Sequence, residues 1–255
     1  MFGAKITGVG SYVPERVVTN EEISQILLAR RAQFEEQGLI SSNDSHRMQF
    51  ESDAKWILER SGIRERRYAA PEEATSDLAV KAAEAALAMS GLGKDFVQFI
   101  IVATVTPDHP ATPPTAALVQ HKLGISPFTK DGELRKIVLP DAPLACCSFM
   151  KALVEGYSYI KSGMCKAGLV IGADVMTRIT NQNDRSMTPL FGDGAGCFVL
   201  ERTTEENDDF HLDDFLSGAD GSQSELIIVP KGGSRKAIEA ETLLNPFDQD
   251  HTIKM

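Results

Sequence analysis

The chain has 255 residues, 42% hydrophobic and 24% charged, which is ordinary for a globular protein and enough to bury a large core as one big domain or two small ones. Its 36 acidic and 26 basic residues give a net charge of −10 with no basic tract, arguing against a general nucleic-acid or anionic-membrane binder. No signal-peptide pattern opens the chain, and the longest apolar run, Phe99 to Val105, falls far short of the ~20 residues of a spanning helix. Four cysteines at 146, 147, 165 and 197 make neither a CxxC pair nor a secreted disulfide framework, so a reduced, cytoplasmic protein without a metal centre is expected.

Lys5 to Gly10 reads as a short strand running into G-V-G-S-Y-V-P. Its two glycines suggest a dinucleotide fingerprint, but Val13 stands where the third glycine belongs and Pro14 ends the run, so a tight turn is expected. Asn20 is a good cap for a helix carrying Ile23, Leu27 and Phe34 toward Gly38. The polar S-S-N-D-S at 41–45 breaks the chain. A second helix, Ser52 to Ser61, holds Trp56 and Arg60 and stops at Gly62; on the residues alone its tryptophan is expected in the core. Thr75 or Ser76 caps a third helix, with Leu78, Ala82, Ala85 and Met89 on one face and Gly91 after it. The apolar run Phe96 to Val105 suits a strand buried on both faces. Four prolines in T-P-D-H-P-A-T-P-P-T then exclude regular structure, and Thr115 opens a short helix to Leu123.

Ile137 to Leu139 reads as another buried strand. Phe149, Leu153, Gly156 and Ile160 follow at the spacing of one helix face, with Gly163 as the stop. Cys146 and Cys147 fall at the turn between them. A thiol there faces unpaired N–H groups and the positive end of the helix dipole, a setting that lowers a cysteine pKa from about 8.5 to about 7 or below. The competing role is that of a small core hydrophobe. Beyond lie a buried strand at Gly168–Gly172, a polar loop from Arg178 to Met187, and F-G-D-G-A-G at 191–196 leading into a strand at Cys197–Leu200. Those glycines permit a sharp turn or a close backbone approach; a phosphate loop is disfavoured because no G-K-[ST] follows. E-R-T-T-E-E-N-D-D at 201–209 is a solvated acidic turn, and His211–Ser217 with Glu225–Val229 resemble a closing pair of strands. This order of elements predicts a mixed sheet with helices on both faces.

Three ordered motifs, D-A-P-L-A-C-C-S-F, G-L-V-I-G-A-D-V and D-R-S-M-T-P-L-F-G-D-G-A-G, together with W-I-L-E-R-S-G-I-R-E-R-R, resemble the β-ketoacyl-acyl-carrier-protein synthase III family. The resemblance implies a thiolase-like α/β fold: a mixed five-stranded sheet over residues 1–229, with a helical insertion near 28–52, and residues 230–255 beginning the connection to a second half. It implies Cys146 as the nucleophile, Trp56 and Arg185 as an adenine clamp for coenzyme A, and Arg60 for coenzyme phosphates. Phe191, Thr112 and Pro113 would line the acyl pocket, although the family often carries a large aromatic where Pro113 stands. It further implies acyl-CoA and malonyl-acyl-carrier-protein as reaction partners, no cofactor beyond the coenzyme A thioester as substrate, and a homodimer. The family's histidine, asparagine and glycine-rich oxyanion turn match nothing up to Met255, and none of the histidines at 46, 109, 121, 211 and 251 replaces them. The expectation is thus the amino-terminal portion of an enzyme initiating type II fatty-acid synthesis. The alternatives are a related acyltransferase of secondary metabolism and a non-catalytic half of a heteromeric assembly.

Overall fold

The structure, a computed structural model, describes residues 2–41, 44–204, 215–240, 242 and 250–254. Along the chain run β1 (Gly3–Tyr12), β2 (Arg16–Thr19), α1 (Asn20–Glu36), α2 (Ala54–Ser61), β3 (Glu65–Tyr68), α3 (Thr75–Ser90), β4 (Ile100–Ala103), α4 (Thr115–Lys122), α5 (Ser148–Lys161), β5 (Ala167–Val175) and β6 (Asp193–Thr203). They fall into two compact units, one of Met1–Pro14, Ala69–Val175 and Asp193–Leu216, the other of Glu15–Tyr68, Met176–Gly192 and Ser217–Met255.

The first unit is built on a mixed sheet in the order β1-β6-β5-β4, with β4 and β5 parallel and β6 antiparallel to both its neighbours. A fifth segment lies parallel to β4 through bridges at Phe99–Val138 and Val102–Asp141. Val138 donates its N–H to Gln98 O at 3.0 Å and Ala142 to Val102 O at 2.8 Å. Pro140, which has no N–H, breaks the ladder between them, so the expected fifth strand is an interrupted edge. Alternation along β4 decides which helices it meets. Ile100 and Val102 pack with Ala82, Ala86 and Val119 of α3 and α4. Phe99, Ile101 and Ala103 pack with Ala152, Leu153 and Ile160 of α5. Helices therefore cover both faces.

Four local expectations are corrected in this unit. Gly8 and Gly10 are not in a turn but inside β1, where a Cβ on Gly10 would meet Ala82 O at 2.2 Å and one on Gly8 would meet Ala86 O at 2.2 Å. The glycines let α3 lie directly on the strand backbone. Helix α3 accordingly turns its small residues inward, burying Leu78, Ala79, Ala82, Ala83 and Ala86, while Ala85 and Met89 face solvent. Its cap position is Ala74 rather than Thr75 or Ser76. Lastly, F-G-D-G-A-G does not precede its strand as a turn. Asp193 already pairs with Val175, and Ala195 with both Tyr12 and Ala173, so flanking strands on two sides hold the glycines extended.

In the second unit, β2 and β3 form an antiparallel pair beside α1 and α2. Val18, Ile23, Leu27, Phe34, Phe50, Ile57 and Tyr68 make its core. Thr19, not Asn20, caps α1, accepting the Glu22 N–H at 3.3 Å. Asn20 is buried instead, donating to Ile63 O and accepting from Arg66. Helix α2 is capped by Asp53, which accepts the Trp56 N–H at 2.7 Å, and it ends at Gly62 with φ +72°, a left-handed stop that glycine adopts without penalty. Within 28–52, α1 continues to Glu36 and Ser45–Phe50 forms a 3-10 turn whose Phe50 is fully buried, edge-on to Phe34 at 5.6 Å.

Of the expected closing strands, the first lies largely outside the described residues, at 211–214, and across 225–229 only Ile228 pairs, with Lys254. No described helix is long and apolar enough to cross a membrane.

Candidate active site

In the first unit the chain leaves the sheet edge at Ala142, turns through Ala145–Cys147 as a 3-10 turn, and enters α5. Ala145 has φ +46°, a left-handed conformation that costs a non-glycine residue about 1–2 kcal/mol. Ser148 pins that turn: its hydroxyl accepts the Leu144 N–H and donates to Ala145 O, both at 2.7 Å. Cys146 and Cys147 are exposed, and Cys165 and Cys197 are buried. Burial pushes the thiols of Cys165 and Cys197 up, holding them protonated and inert as nucleophiles. Five residues before Cys146, the Asp141 carboxylate accepts the N–H groups of Thr115 at 2.7 Å and Ala116 at 2.9 Å, capping α4. Thr112 and Pro113 are exposed in the irregular loop that leads into that helix.

In the second unit Trp56, Arg60 and Arg185 line one cleft of about 280 Å³ together with Ile57, Pro189 and Leu190. The Arg185 guanidinium carbon lies 4.6 Å from the Trp56 ring centroid and that of Arg60 lies 5.8 Å away, both within cation–π range. A base sandwiched between the ring and Arg185 needs about 7 Å, two layers of ~3.5 Å carbon contact. The two clamp residues are therefore adjacent but closed on each other. Arg185 is held on its other side by backbone, donating its N–H to Gln49 O at 2.8 Å and Nη1 to Glu51 O at 2.5 Å. Phe191 is half-buried just past Leu190 and is not among the residues lining this cleft.

Trp56, Arg60 and Arg185 thus come together, whereas Cys146, Thr112 and Pro113 belong to the first unit. Sequence reasoning missed Ser148, Asp141 and the carbonyls of Gln49 and Glu51. Asp141 and Ser148 were visible as good cap-forming types flanking the cysteines; the two carbonyls carried no sequence signal. Among the described residues no group of three or more His, Cys, Asp or Glu side chains is placed to hold a metal.

A mixed sheet sandwiched by helices, with an exposed cysteine at the turn into one of them, fits the thiolase-like α/β class that the resemblance implies. The profile of 3-oxoacyl-[acyl-carrier-protein (ACP)] synthase III matches residues 141–221. The chain is 39% identical over 240 residues to a β-ketoacyl-[acyl-carrier-protein] synthase III of Solibacter usitatus, covering 94% of this chain and 62% of that one. It is 38% identical to the protein of the same name from Natranaerobius thermophilus, covering 100% of this chain and 67% of that one. The crystal structure of 3-oxoacyl-[acyl-carrier-protein] synthase III from Aquifex aeolicus superposes with a TM-score of 0.71 at 31% identity, over 99% of this chain and 64% of that one. The chain belongs to the β-ketoacyl-[acyl-carrier-protein] synthase III family, and it spans about three fifths to two thirds of the length of these relatives.

Proposed function

We propose that this chain carries the acyl-accepting part of a condensing enzyme that initiates type II fatty-acid synthesis from acyl-CoA and malonyl-acyl-carrier-protein. The observation that carries the proposal is the exposed Cys146 on a pinned, strained turn, set against Cys165 and Cys197, whose thiols burial keeps protonated. In the first half-reaction the Cys146 thiolate attacks the thioester carbonyl of acyl-CoA. A carbon–sulfur bond forms to Cys146 Sγ, the carbonyl oxygen takes up the negative charge beside the Cys146 N–H, and coenzyme A leaves as its thiol after gaining the proton lost by Cys146. Trp56 and Arg185 stack on the adenine and Arg60 meets the phosphates, so binding energy far from the sulfur positions the thioester. Thr112, Pro113 and Phe191 are assigned to the acyl pocket. In the second half-reaction, decarboxylation of malonyl-acyl-carrier-protein supplies the carbanion equivalent that displaces Cys146 from the acyl group. The reaction needs no resident cofactor, and a homodimer is the proposed assembly.

Intact-mass measurement after exposure to acyl-CoA tests the assignment. Native protein and Cys147→Ala gain one acyl group, and Cys146→Ala gains none. Equal labelling of Cys146→Ala and native protein overturns it. Comparing acetyl, branched and long-chain acyl-CoA in the same assay identifies the primer and separates fatty-acid initiation from secondary metabolism.

A further inference from the structure

The segment that follows α1 ends on the very groups that hold Arg185. Its 3-10 turn, Ser45–Phe50, is anchored by Phe50 in the core beneath. From that anchor the carbonyls of Gln49 and Glu51 reach Arg185, one taking the backbone N–H and the other the guanidinium. Two further ties run from α1. Arg31 pairs with Glu51 Oε1 at 3.1 Å, and Arg30 donates to Asn183 Oδ1 at 2.7 Å in the loop that carries Arg185. With Arg185 so held, its guanidinium stacks on Trp56 at a spacing that leaves no room for a base. A side chain bonded on one edge to a fixed carbonyl and on its face to a ring has little freedom to swing, so the entry of a base requires one of those contacts to yield.

We infer that Ser45–Glu51 is a strut that positions Arg185 closed over Trp56, with Arg31 and Glu51 as its latch, so that admission of a nucleotide base depends on release of Arg185 from the strut. This rests on the reading of Trp56 and Arg185 as the adenine clamp. Arg31 and Glu51 are positioning residues: they touch no base and act only through Arg185.

Trp56 is the only tryptophan in the chain, so its emission reports the stack directly. The test uses the full chain in native form and as Arg31→Ala, Glu51→Gln, Arg31→Lys and Arg185→Ala. Acrylamide quenching of Trp56 is measured without ligand, and coenzyme A binding is followed by stopped-flow Trp56 emission. Arg185→Ala gives the quenching of an uncovered ring. Arg31→Ala and Glu51→Gln are expected to shift quenching toward that value and to raise both the association and the dissociation rate of coenzyme A about twofold to fivefold, the range for one partly exposed ion pair. Arg31→Lys retains native behaviour. If coenzyme A changes the native emission but the latch variants match native protein in quenching and in both rates, the strut is overturned and the clamp stands. If coenzyme A leaves the native emission unchanged, the clamp reading falls, and ligand-free quenching still decides whether the strut holds the stack. Slower association with a lowered melting temperature assigns Arg31 and Glu51 a merely structural role and also overturns the inference.

Discussion

Ser148 is 5% exposed and spends both hydrogen-bonding directions of its hydroxyl on the backbone just before Cys146. Removing that oxygen leaves the Leu144 N–H without its acceptor. Ser148→Ala should therefore lower stability by about 1–3 kcal/mol, read as a drop in the urea midpoint at constant slope. Ala145→Gly should go the other way or stay neutral, because glycine adopts φ +46° without the penalty that alanine bears. The position of the cysteines between a strand and a helix was legible from Ile137–Leu139 and the Phe149, Leu153, Gly156, Ile160 face. The pinning was not. A serine after two cysteines is an ordinary early-helix residue, and its partners are set by the left-handed turn at Ala145, which no residue type in A-C-C-S announces.

Among the elements, β1 and α3 meet by backbone rather than by side chain. Gly10→Ala would drive a Cβ to within 2.2 Å of Ala82 O and 2.4 Å of Ala86 N, atoms that belong to the helix backbone and cannot rotate aside. The expected loss exceeds about 3 kcal/mol, the upper end of ordinary overpacking, and thermal unfolding followed by circular dichroism measures it. G-V-G stood out in the sequence as special, but glycines tell only that a Cβ is unwelcome, not which neighbour forbids it. The same limit explains the misjudged face of α3. In T-S-D-L-A-V-K-A-A-E-A-A-L-A-M-S alanine occurs on every side, so periodicity leaves the inward direction open and the glycines of β1 choose it. Where apolar residues were large and spaced, as at Ile23, Leu27 and Phe34 of α1, the buried face followed from spacing alone.

For the whole molecule, acidic groups outnumber basic ones, and several carboxylates are tied to cations in the folded state. The Lys81 ammonium, hydrogen-bonded to Glu73 at 2.7 Å, holds the Glu73 carboxyl below its ordinary value of 4.5, with the Ala70 N–H and Tyr12 hydroxyl adding to the effect. A depressed carboxyl contributes stability above its unfolded pKa and loses it as pH falls through the folded one, because the unfolded chain takes up protons first. Melting temperature should thus fall below about pH 4.5, and Glu73→Gln, less stable than native protein at pH 6, should converge with it as the solution is acidified. At this scale the mixed sheet was legible because apolar runs and amphipathic faces alternate along the chain. The pairing of Arg185 with Trp56 was not legible from spacing and entered through the resemblance of two distant motifs, which implied a base between them rather than direct contact. Asp141 carries one consequence that spans these scales. Its carboxylate grips the first amides of α4, its backbone sits on the sheet edge, and the chain reaches Cys146 five residues later. Thr112 and Pro113 lie immediately ahead of α4, so on the proposed reading a loop reshaped to suit a longer or shorter primer pulls on the same tether that seats Cys146, and primer choice and turnover are mechanically joined.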